Sequence, residues 1–141
     1  MALLPSGLPD EVDDAEDLAR FVTQSSHFNT CGVKPVAFLP DRTHDETSVS
    51  RHGEQPAERL WKMGAVAAGT RTLYGAAIFN AKTVRQTELV VQSAEPPDFH
   101  AAIRKWPVET NDPVSMKSRR LEAALVLASN TKFVRYQLTE S

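Results

Sequence analysis

Cysteine is nearly absent from this chain of 141 residues, Cys31 being the only one. No internal disulfide can form and no cysteine-based zinc framework can be assembled, which points to a reducing, cytoplasmic setting. Long apolar runs are missing as well: nothing approaches the roughly 18 to 20 residues that span a bilayer, and the longest candidate, 121–128, is a short amphipathic patch. The opening Met1-Ala2-Leu3-Leu4-Pro5 lacks the basic region and extended apolar stretch of a secretory signal. Neither membrane insertion nor export is expected.

Local chemical signatures are also lacking. The six glycines, at 7, 32, 53, 64, 69 and 75, form neither G-x-G-x-x-G nor G-x-x-x-x-G-K, so the common phosphate loops are excluded. The chain has no G-x-S-x-G elbow and no H-E-x-x-H pair. It also has no internal repeat, which removes solenoids and arrays. No motif implies a cofactor, and none assembles a metal site: His44, Asp45 and Glu46 are adjacent and cannot all face one ion. These absences exclude families whose chemistry is written in local motifs. A site assembled from distant residues remains open.

What is present is an ordinary globular composition, 41% hydrophobic and 24% charged, in a length suited to one core. The reading is an N-terminal extension over 1–9, a single α+β domain over 10–138 and a C-terminal tail over 139–141. Net charge is −2 but uneven, because residues 1–20 carry −5 and the remainder +3. Such a field could steer a polyanion to the basic part.

Periodicity predicts a first helix over 10–24, with Ala15, Leu18, Ala19 and Val22 at helical spacing and the acidic residues in its first turns, where the macrodipole favours them. Residues 25–33 read as a loop. Strands are expected over 34–39 and 47–51, the two forming a hairpin. A second helix follows Pro56, carrying Leu60, Met63, Gly64 and Ala67 and ended by Gly69. Strands over 73–79 and 87–92 flank a helical turn at 81–85. Pro96-Pro97 and Trp106-Pro107 make 94–107 a loop, with a short helix or strand at 100–104. Asp112-Pro113 starts a third helix, with Leu121, Ala124, Leu125 and Ala128 on its apolar face and Asn130 closing it in a left-handed conformation. A terminal strand over 132–138 completes the order. Without strict β-α alternation, the expected class is α+β: a single mixed or largely antiparallel sheet packed with about three helices.

Candidate chemistry rests on a few polar residues. His27 and His100 could exchange protons with an attacking and a leaving group near neutral pH, while Arg51 or Lys34 stabilises a phosphoryl oxygen. That constellation would make a metal-independent, ribonuclease-like phosphodiesterase or a phosphate-handling enzyme. It requires both histidines in one cleft with Arg51 or Lys34 close by. Cys31, four residues beyond His27, offers a thiolate to an imidazole. Arg104, Lys105, Lys117, Arg119 and Arg120 could bind nucleic-acid phosphates, with Trp106 stacking on a base. In the absence of a catalytic motif, the leading expectation is a small binding or accessory domain with a protein or protein–nucleic acid partner. The phosphate-handling enzyme and direct nucleic-acid binding stand as alternatives.

Overall fold

A computed structural model describes residues 3–51, 57–108 and 112–136. Its order is β1 (Asp17–Val22), a 3-10 turn (Ser25–His27), β2 (Phe28–Asn29), β3 (Gly32–Val33), a second 3-10 turn (Pro35–Phe38) and β4 (Thr47–Arg51). Then come α1 (Ala57–Ala68), β5 (Gly75–Asn80), α2 (Ala81–Gln86), β6 (Val90–Ser93), β7 (His100–Arg104), α3 (Pro113–Ser129) and β8 (Lys132–Arg135). Six strands form one sheet in the order β6-β7-β4-β1-β5-β8, every neighbouring pair antiparallel. The fold is α+β, and β2 with β3 makes a separate small ribbon. Strands β4 and β5 lie on either side of β1 and are joined through α1, a split β-α-β unit.

The expected first helix is instead β1, next to the middle of the sheet. Leu18 sits on one face of the strand and Ala19 and Phe21 on the other, all of them buried. A strand covered on both sides shows no clean alternation, so its apolar residues satisfy a helical spacing equally well. The acids before it do not serve a helix dipole; Glu16 pairs with Arg51 and Asp14 with Arg85, each at 2.5 Å.

The hairpin expected from 34–39 and 47–51 does not form. Pro35 has no N–H to give a ladder and occupies the first position of a 3-10 turn, from which Phe38 meets the Phe79 ring edge-on with centroids 5.3 Å apart. Thr47 Oγ1 donates to Phe38 O at 2.7 Å, fixing that turn against the start of β4. The loop expected over 25–33 contains the first 3-10 turn and the β2–β3 ribbon.

Helix α1 ends at Gly69, whose φ of +61° suits a residue without Cβ. Helix α3 begins where Asp112 Oδ1 accepts from Ser115 N, a cap worth about 1 kcal/mol. Its buried residues are Ala124 and Leu127, while Leu121 and Leu125 face outward, so the apolar stripe is rotated from the one expected. Asn130 has φ of −112° and closes the helix through Nδ2 donating to Val126 O, not through a left-handed turn.

The sheet separates two cores. On one face, α2, α3 and the second 3-10 turn cover Leu18, Val49, Ala77, Phe79, Ala101 and Ile103. On the other, α1 brings Leu60 against Ala19, Phe21 and Ala76, with Trp61, Met63, Leu73 and Ile78 around them. That second layer covers only the β1–β5 side. Ser48 and Ser50 of β4, and His100 of β7 opposite Ser50, line open space on the same face. None of the described helices is long and apolar enough to cross a membrane.

Candidate functional site

The uncovered half of that face is a cleft of about 780 Å³, within the range of small-molecule sites. Its floor is Phe21, Ser48, Ser50 and His100; one wall is α1 with Arg59, Lys62, Met63, Val66 and Ala67, continued by Arg71. Arg20, Thr23, Gln24, His27, Val36 and Leu39 close one side, and Asp41, Glu46, Pro97, Asp98 and Phe99 complete the rim. Pairing explains the opening: β1 and β4 are in register at Leu18–Arg51 and Ala19–Ser50, and beyond that point Arg20 reaches across. Its Nε donates to Ala37 O and its Nη1 to Ser48 O, both at 2.8 Å.

The two expected histidines share this cleft. His100 Nδ1 lies 2.9 Å from Ala94 O. A carbonyl only accepts, so Nδ1 carries the proton and Nε2 of the neutral ring is an acceptor. The His27 imidazole is held below its ordinary value of 6.5, first by loss of hydration and then by the positive charges of Arg20 and Lys34. The Nε2 lone pair of His100 can therefore accept a proton from a ligand, and His27 is held toward its neutral form.

The two cations proposed alongside them do not join them. Arg51 has no exposed side-chain surface, and it points away from the cleft into a closed network. Its Nε and Nη2 donate to the Glu16 carboxylate at 2.5 and 2.7 Å, Nη1 to Pro9 O and Ser93 Oγ, and Nη2 to Glu11 O. A guanidinium so saturated is a structural clamp and has no donor left for a phosphoryl oxygen. Lys34 is exposed, caps the second 3-10 turn and is outside the cleft lining; its backbone N donates to His27 O at 2.8 Å, and its charge acts on the His27 ring.

The cationic lining is Arg20, Arg59, Lys62 and Arg71, against Asp41, Glu46 and Asp98. Glu46 is already engaged by Arg104 at 2.8 Å. Lys62 lies 3.4 Å from Glu58 on the exposed side of α1, and the Arg59 guanidinium stands 4.6 Å from the Phe99 ring centroid. Sequence reading missed these four. Arg20 falls in the segment expected as the first helix, and the others belong to segments whose relation to the histidines depends on the split β-α-β crossover.

Other candidates are separated from the cleft. Cys31 is exposed at the tip of the β2–β3 ribbon and lines a different, smaller cavity, so His27 does not reach it there. Trp106 is only 3% exposed and its Nε1 donates to Ile103 O at 3.2 Å, which makes it a core anchor and closes it to base stacking. Of the basic residues around it, Arg104 is held by Glu46 and Gln92. Arg120 donates to Pro107 O and Asp45. Lys105, Lys117 and Arg119 are exposed. His44, Asp45 and Glu46 turn to three separate partners, Asp41, Arg120 and Arg104.

Comparison of the chain with protein-family models, with curated proteins and with solved structures returned no match.

Proposed function

We propose that the cleft binds a phosphate-bearing small molecule and that His27 and His100 exchange protons with it, a metal-independent phosphate-handling activity. The observation carrying this reading is that both histidines line one cavity together with Arg20, Arg59, Lys62 and Arg71. Cationic side chains in a concave, partly apolar site favour anions far more than the same charges on open surface. A ring with a fixed acceptor at Nε2 and a second ring biased toward neutrality are the components of general base catalysis. Arg51 has no part in it, and its place as electrophile falls to the cleft arginines.

The test is titration of the protein with inorganic phosphate and organic phosphates, followed by chemical shifts of the histidine ring protons. Binding should shift His27 and His100 together. His100→Ala should abolish turnover of any phosphate ester that the protein cleaves, while leaving its fold unchanged by circular dichroism. Phosphate that shifts neither ring at millimolar concentration would end this reading.

A second reading, docking to a protein partner, is supported by α3. Val114, Leu121 and Leu125 lie at spacings of seven and four, so they share one side of the helix, and they are 78%, 38% and 55% exposed. Recovery of a stoichiometric companion, lost on Leu125→Glu, would favour it.

A further inference from the structure

Two of the cations that line the cleft are near each other. Arg20, from β1, is close enough to repel both Arg71, from the segment after α1, and a protonated His27. Among the described residues neither forms an ion pair. Arg20 is fixed by the carbonyls of Ala37 and Ser48, and Arg71 by those of Ala68 and Ala67 at 3.2 and 3.0 Å. Carbonyls hold a guanidinium in place without neutralising it. Arg20 Nη2 and Arg71 Nη1 make no hydrogen bond to a described residue, and both arginines line the cleft. The two charges also feel each other: Arg20 is pushed down to about 10, first by desolvation and then by repulsion from Arg71, with Asp41 partly opposing both. The same Arg20 charge disfavours protonation of His27. Two fixed, mutually repelling cations beside a half-buried cavity ask for a counter-ion of matching charge.

We infer that the ligand is a phosphomonoester, its dianionic phosphate seated between Arg20 and Arg71 and its apolar body lying along Phe21, Met63 and Val66. This rests on the phosphate reading of the cleft and narrows it. A phosphodiester brings one negative charge to a seat built from two cations, whereas a monoester above its second pKa of about 6 brings two. Asp41, which offsets part of the Arg20 charge, and Asp98 in the same lining oppose a ligand charged along its length, such as a polyphosphate or a nucleic-acid strand. The apolar residues of α1 between the two ends provide for an uncharged body.

Isothermal titration with phenyl phosphate, methyl phenyl phosphate and inorganic phosphate tests the inference on the full chain. At pH 7.5 the monoester should bind about tenfold or more tighter than the diester, the difference of one charge-assisted contact. That ratio should shrink toward one at pH 5, where the monoester takes up one proton and carries the same single charge as the diester. Arg71→Gln, which removes only helix-end contacts, should abolish the preference; Arg20→Gln should do the same if its circular dichroism is unchanged. Lys117→Gln, on the far layer, should leave it intact. A diester binding within about threefold of the monoester, or a preference that survives Arg71→Gln, overturns the inference while the phosphate reading of the cleft stands. If no phosphate compound binds, both fall.

Discussion

Glu16→Gln is the sharpest test of how the sheet is held. Arg51 is completely buried and satisfied by five hydrogen bonds, two of them to a carboxylate that is itself only 10% exposed. The amide retains one acceptor but aims an N–H at a guanidinium donor, so it leaves a buried cation with neither its counter-charge nor its full set of acceptors. Removing one member of a buried pair typically costs about 3 to 5 kcal/mol. For a chain of this length that corresponds to a fall in Tm of roughly 10 to 17 °C. Arg51→Met should cost a similar amount, because the carboxylate and the Pro9 and Glu11 carbonyls lose their donors. The double variant Glu16→Leu with Arg51→Met should recover much of the loss, since apolar replacement of a whole buried pair is often neutral. Urea unfolding followed by circular dichroism of Glu16→Leu, Arg51→Met and the double variant gives all corners of the cycle, with Glu16→Gln measured alongside. A cost below about 1 kcal/mol for Glu16→Gln, the level of a surface pair, would refute the reasoning.

Trp106→Ala should destabilise the domain by about 3 to 5 kcal/mol through the lost burial and cavity, without changing binding of any single-stranded oligonucleotide; a stable variant with impaired oligonucleotide binding would restore Trp106 as a stacking residue. Gly75→Ala places a Cβ 2.5 Å from Val134 O, a backbone contact that forces β8 away and should cost at least about 1 to 3 kcal/mol, read as loss of amide protection in Phe133 and Val134. The His27 ring should titrate below 6.5 by NMR, and Lys34→Gln should raise its midpoint. Because the folded pKa is depressed, protonation favours the unfolded chain: His27 contributes its full stability above pH 6.5 and loses it as pH falls through the folded value, a dependence that His27→Gln should remove. A His27 midpoint at or above 6.5 would contradict both the desolvation of the ring and the proximity of Arg20.

Where short-range chemistry sets conformation, the amino acids alone determined the outcome. Asp112-Pro113 starts α3, Gly69 stops α1, and residues 47–51 form a strand, each through a cap, a left-handed φ or a β-branched alternation that needs no distant partner. His27 and His100 were also identifiable as candidates, imidazole being a side chain that can both give and take a proton. Tertiary structure decided the rest. Residues 17–22 satisfy both a helical and a strand spacing, and only burial between two layers, with β4 and β5 as neighbours, selects the strand. That choice moved Arg20 to the cleft wall and turned the acids before it into partners for Arg51 and Arg85. Arg51 and Arg20 are the same residue type with opposite fates, one sealed against a carboxylate and one held open by carbonyls. What separates them is where along the β1–β4 pairing they sit, Arg51 within it opposite Leu18 and Arg20 beyond its end, and that depends on contacts between segments dozens of residues apart.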